Sequence, residues 1–160
     1  ITPTQLVNLL DEIFSAFDRL VEQYKLEKIK TIGDAYMAVG GLPIPRTDHA
    51  AAVADMALAM QQAIVNFQQD FKKPFQLRIG INTGNVVAGV IGKKKFTYDL
   101  WGDTVNIASR MESEGIAGKI QVTATTYELL KDKYILQERG TIFVKGRGEM
   151  LTYWLLGKRD

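Results

Sequence analysis

From Leu6 to Tyr24 the apolar residues Leu6, Leu9, Leu10, Ile13, Phe14, Phe17, Leu20, Val21 and Tyr24 recur at three- and four-residue spacing, the period of one helix face. Thr2 followed by Gln5 predicts a capping box, and Pro3 suits the first helical position. The segment "EKIKTIGDAYMAVGG" changes the period. Its apolar runs are short and bounded by Gly33 and by Gly40-Gly41, which predicts two strands joined across Gly33-Asp34. Glycine there tolerates the positive φ that a type II′ loop needs at its first position. A proline-marked loop, "GLPIPRTD", then leads to a second helix, "HAAAVADMALAMQQAIVNFQQ", with Asp48 as its N-cap.

Further along, "FQLRIGINTG" and "VVAGVIG" read as strands separated by Thr83-Gly84-Asn85. "FTYDLWGD" leads into a helix from about Asp103, "TVNIASRMESEG". "KIQVT" reads as a strand and "TTYELLKDK" as a short helix. "YILQERG", "TIFVKG" and "EMLTYWLLG" read as three closing strands, the last two joined across Gly146-Arg147-Gly148. The links at 33–34 and 146–148 are too short for parallel crossovers. The expected fold is α+β, a largely antiparallel sheet with helices packed on it, in one domain over residues 1–160.

Composition narrows the chemistry more than the fold. With 46% hydrophobic and 24% charged residues the chain has the make-up of a globular domain. A formal charge of +2 makes no case for nucleic acid or acidic lipid, and Lys93-Lys94-Lys95 alone reads as a solvated basic loop. Cysteine is absent and His49 is the single histidine. Thiolate metal sites and thiol nucleophiles are therefore excluded, and a Ser-His-Asp triad has little to build on. No apolar run approaches the roughly 20 residues of a bilayer span, and the N-terminus lacks signal-peptide order. A chain that starts at Ile1 and runs at once into a helix is expected to be a domain excised from something longer.

Chemistry must then rest on carboxylates, lysines, arginines and amides, which gather in three places. Lys30 and Asp34 flank the hairpin tip. Asn106 and Arg110, in "YDLWGDTVNIASRMES", are four apart and share a helix face. Lys145, in "VKGRGEM", precedes a glycine-flanked turn able to fold over a ligand. Each alone has a plainer reading: a turn acid, a solvated helix edge, a surface lysine.

Together, "EKIKTIGDAYMAVGGLP", "YDLWGDTVNIASRMES" and "VKGRGEM" closely resemble the signature segments of the class III nucleotide cyclase catalytic domain, the family of adenylyl and guanylyl cyclases. The resemblance runs from Ile1 to about Gly157 and implies a ferredoxin-like cyclase fold. It implies that Asp34 is one of two aspartates holding two magnesium ions, with manganese as the other metal. It implies that Lys30 and Asp99 read the adenine edge, with the backbone at Leu100 beside the base. Asn106 and Arg110 would orient the ribose and stabilise the α-phosphate, Lys145 would grip the terminal phosphates, and Lys94 lies where the family often has another phosphate-binding residue.

These residue types suit cyclisation. When a ribose 3′-oxygen attacks the α-phosphorus and pyrophosphate leaves, negative charge must be held at both ends, which carboxylate-bound magnesium and an arginine fork can do without histidine or cysteine. Lysine at 30 and aspartate at 99 are the adenylyl pattern, so ATP is the expected substrate. Guanylyl cyclase is the alternative, as is a non-catalytic regulatory half or a basic binding module. The resemblance further implies a head-to-tail homodimer with sites at the interface, no nucleic-acid partner, and a cytoplasmic catalytic domain, and it allows an upstream sensor or membrane domain in the parent protein without requiring one. One departure is expected to matter: the family's first metal aspartate lies in a Phe-x-Asp-Ile strand before the helix that opens this chain. The N-terminal strand and half of the metal site are therefore expected to be missing.

Overall fold

The computed structural model describes residues 2–71, 76–92 and 97–160. They fall into two compact units, Ile1–Phe75 and Gln76–Asp160.

In the first unit, α1 (Pro3–Gln23) starts as expected, since Thr2 Oγ1 accepts from the Gln5 N–H at 3.1 Å while Gln5 Oε1 accepts from the Thr2 N–H at 2.8 Å. Its buried stripe is Leu9, Ile13, Phe17 and Val21. β1 (Glu27–Ile32) and β2 (Ala35–Val39) form an antiparallel hairpin in which Ile32 faces Ala35. The loop is thus Gly33-Asp34, with Gly33 at φ +58 and a negative φ at Asp34, the type II′ pattern. α2 (His49–Phe71) follows, and the Asp48 carbonyl accepts from the Ala52 N–H at 3.0 Å, as an N-cap residue does. The Asp48 carboxylate is held by both prongs of Arg46, at 2.6 and 2.8 Å, and Arg46 also donates to the carbonyls of Tyr24 and Lys25.

One expectation needs correcting here. Residues 49–69 of α2 are long and apolar enough to cross a membrane by length and composition, with mean hydropathy 1.2. Much of that character comes from alanine, and Ala52 and Met56 pack with Val21 and Leu26 in the unit's core.

The hairpin is also tied to α1 by a polar contact. The Tyr36 hydroxyl donates to Asp18 at 2.6 Å and the Lys28 ammonium lies 3.1 Å from the same carboxylate. Burial alone would raise the Asp18 carboxyl, but the Tyr36 hydrogen bond and the lysine outweigh it and hold it below the ordinary value. Burial, then the bond to Asp18, push the Tyr36 hydroxyl strongly upward. Tyr36→Phe is expected to cost about 1 kcal/mol, a charge-assisted bond discounted for its half-exposed acceptor. Because the folded carboxyl is depressed, this stabilisation is present above its ordinary pKa and fades as pH falls through the depressed value. Urea melts of the two proteins should therefore differ at pH 7 and converge in acid.

In the second unit, β3 (Ile79–Ile81), β6 (Ile120–Thr123), β7 (Tyr134–Val144) and β8 (Gly148–Lys158) form one sheet in the order β3-β6-β8-β7. β3 runs parallel to β6, and the other pairs are antiparallel. β4 (Val87–Ile91) and β5 (Thr97–Trp101) form a separate antiparallel ribbon. α3 (Asp103–Ser113) and α4 (Ala124–Leu130) complete the unit. The expected α+β class with largely antiparallel pairing holds. The three closing strands do not: "YILQERG" and "TIFVKG" are one strand, β7, whose register against β8 shifts between Glu138 and Gly140, so a bulge absorbs the glycine that reads as a break.

Two contacts fix α3 on the sheet. Ile107 and Met111 are buried with Val144, and Ile142 and Met150 pack against them. At Gly80 the strand meets the helix backbone directly, where a Cβ would overlap Met111 and Glu112 and lie 2.7 Å from the Ala108 carbonyl oxygen. Only glycine permits that approach.

Candidate active site

α3 opens at Gly102, whose N-cap position makes no side-chain bond, and its first turn carries Asp103. Ile107 and Met111 turn inward. Asp103, Asn106, Arg110 and Ser113, spaced three, four and three apart, line the edge of an open groove of about 430 Å³. The other side is made by Val144, Lys145 and Arg147.

Lys145 is placed there by the turn between β7 and β8. The Arg147 N–H donates to the Val144 carbonyl at 2.9 Å, and Gly146, at φ +84, takes the place a type II turn gives to glycine. Val144 anchors the base of this turn against α3. The packing that seats the helix thus also seats the lysine. Buried Gln121 secures the far end of α3, donating to the Met111 carbonyl at 2.9 Å and accepting from Arg139 at 2.6 Å. Arg139 also donates to the Glu114 carbonyl at 2.6 Å and lies over the Trp154 ring.

Three of the expected residues, Asn106, Arg110 and Lys145, therefore share one groove. Arg110 lies 3.7 Å from Glu114 one turn along, and both are partly exposed. Among the described residues that line the groove, Arg110, Lys145 and Arg147 outnumber the one acid, Asp103, so the groove favours an anion. Arg147 and Asp103 form an ion pair across it. Sequence reading assigned neither a role, though the 103, 106, 110 spacing was a usable sign.

Asp99 and Leu100 lie on β5, opposite Gly89 and Ala88, and both are buried. Neither is among the groove-lining residues. Asp99 Oδ1 accepts from the Leu100 N–H at 2.8 Å, so the two expected base-side groups are bonded to each other. Lys30 and Asp34 lie in the first unit, Lys30 on β1 opposite Met37 and Asp34 exposed at the hairpin tip. Lys94 lies outside the described residues. Among the described residues no three histidine, cysteine, aspartate or glutamate side chains cluster as a metal cage.

A family model described as the adenylate and guanylate cyclase catalytic domain matches residues 1–157. An adenylate cyclase of Mycobacterium tuberculosis is 52% identical over 157 residues, covering 98% of this chain and 35% of its own length. The chain thus spans about a third of that curated relative. The adenylyl cyclase CyaB from P. aeruginosa superposes with TM-score 0.95 at 30% identity, covering all of this chain and 86% of that one. The guanylate cyclase domain of RhGC from Catenaria anguillulae, solved with GTP, superposes with TM-score 0.93 at 36% identity, covering 99% and 87%.

Proposed function

Because the chain belongs to the adenylate and guanylate cyclase catalytic-domain family, we propose that it converts ATP to 3′,5′-cyclic AMP and pyrophosphate. The observation that carries this reading is the groove where α3 and the β7–β8 turn bring Asn106, Arg110 and Lys145 together. Asn106 orients the ribose, so that its 3′-oxygen lies in line with the α-phosphorus. Arg110 presents a planar cationic fork where charge develops on the α-phosphoryl oxygens. Lys145 holds the terminal phosphates, which depart as pyrophosphate.

Asp34 fits one protein ligand of a magnesium or manganese ion. It is exposed, and magnesium takes one or two carboxylates, keeps several waters and shares the rest of its shell with substrate phosphates, so no carboxylate cage is required. The resemblance implies two such ions. When bound, they supply Lewis-acid neutralisation of the triphosphate charge.

The base is assigned from Lys30 and Asp99. An aspartate accepts from the adenine amino group and a lysine donates to a ring nitrogen, whereas guanine presents the opposite polarity at its carbonyl and N1. GTP is the second reading, favoured by the likeness to the GTP-bound domain. In the full-length protein, Lys30→Glu combined with Asp99→Ala is expected to lower kcat/KM for ATP and raise relative use of GTP. An unchanged preference removes both residues from base reading. A wild-type protein that binds nucleotide but turns over neither removes the catalytic reading and leaves the non-catalytic regulatory half as the alternative.

The proposal extends to a cytoplasmic setting and to a head-to-tail pair of copies sharing each site. Support for the pairing is the β4–β5 ribbon, where Val87 and Trp101 sit opposite each other and Ile91 follows on the same face, all exposed. A two-stranded ribbon is marginal alone, and an apolar face of this kind gains by burial against a second copy.

A further inference from the structure

We infer that the Asp103–Arg147 ion pair is a latch that positions Lys145 over the groove, an inference that rests on the reading of that groove as a triphosphate site. The base of the β7–β8 turn is held by Val144 in the core under α3. Beyond Val144 the turn is closed on itself, by the Arg147 N–H bond to the Val144 carbonyl and by the pairing of Val144 with Gly148. Lys145 and Arg147 are exposed at its tip and alternate with Gly146 and Gly148, both at the φ of +84 that the tight turn requires. The Arg147 guanidinium closes the turn onto α3 by pairing with Asp103 at the helix's first position. Asp103 is well placed as the anchor, because a carboxylate in the first turn is stabilised by the positive end of the helix dipole. Lys145 is two residues from Arg147 and lines the same groove as Asn106 and Arg110. Latching the turn therefore sets the separation between the lysine that holds the leaving phosphates and the helix that carries the α-phosphate fork.

A direct role for Arg147 as a phosphate ligand makes the opposite forecast, which allows a test by sign. Removing the Asp103 charge would free such an arginine and lift a negative charge from the groove, so nucleotide binding would tighten. A latch that has lost its anchor weakens binding instead. The experiment uses the full-length wild-type protein, Asp103→Asn, Arg147→Met and the double variant. It measures kcat and KM for ATP, and the Kd of 3′-deoxy-ATP, which lacks the attacking hydroxyl, with adenosine as the phosphate-free control.

Each single change is expected to weaken 3′-deoxy-ATP and raise KM by about two- to fivefold, the scale of one exposed ion pair, with kcat less affected and adenosine unchanged. The double variant should be no worse than the worse single change, because both remove the same contact. Tighter binding by Asp103→Asn, or additive losses in the double variant, overturns the latch while leaving the cyclase reading intact. Equal weakening of adenosine also overturns it, since the damage is then not confined to the phosphates. A wild-type protein that neither binds 3′-deoxy-ATP nor turns over ATP or GTP overturns the triphosphate reading and the latch with it.

Discussion

Replacing Arg110 by alanine is expected to lower kcat by about a hundredfold or more, with a smaller change in KM, the scale of losing one preorganised donor at a developing charge. Arg110 lies 3.7 Å from Glu114, and both side chains are nearly half exposed. Such a pair contributes at most about 0.5 kcal/mol on a helix surface. The guanidinium therefore leaves it at little cost when a phosphate enters. What it meets there changes during the reaction, because the α-phosphoryl oxygens carry most charge as the 3′-oxygen closes and the pyrophosphate departs. An interaction that strengthens along that path shows in kcat, and one equally strong before and during it shows only in KM. Steady-state rates at saturating ATP decide between them. A loss confined to KM would mean that Arg110 binds the ground state and nothing more.

Mixing two inactive full-length proteins, Asp34→Ala and Arg110→Ala, is expected to restore activity. The family pattern assigns the metal aspartate of each site to one copy and the phosphate and base contacts to the other. A mixed pair then contains one wholly intact site and one that lacks both residues. Random re-pairing of equal amounts makes half the dimers mixed, each with one working site of two, so recovery should approach about a quarter of wild-type activity. Dilution below the dimer dissociation constant should abolish it. No recovery, despite heterodimers demonstrated by mass, would refute the shared site.

Local features of the fold were legible in the sequence because their causes are local. The Thr2 and Gln5 capping box, the Gly33-Asp34 loop and the start of α3 at Asp103 each depend on a few adjacent residues. The parallel pairing of β3 with β6 does not, since it joins two short strands separated by a ribbon and a helix. The continuity of β7 through Gly140 was hidden for another reason. A glycine is read as punctuation, whereas the partner strand β8 carries the ladder past it.

The candidate site divides in the same way. Asn106 and Arg110 share a face by helical spacing alone, and that could be read directly. Lys145 joins them because Val144 packs against Ile107 and Met111, a tertiary fact without a spacing. Asp103 and Arg147 escaped notice because each is ordinary where it stands, an acid at a helix start and a cation in a turn, and only their pairing is informative.

Gly80 bears on how such a site can vary. A helix that meets its strand through side chains can be re-spaced by exchanging one of them, so its distance from the sheet drifts as the interface changes. Here β3 touches α3 backbone to backbone, and there is no side chain at the contact to exchange. Gly80 works as a fixed stop. Substitutions elsewhere along α3 can alter charge, reach or hydrogen bonding on its groove face without moving the platform that carries them, and the chemistry at Asn106 and Arg110 can be retuned separately from the spacing beneath it.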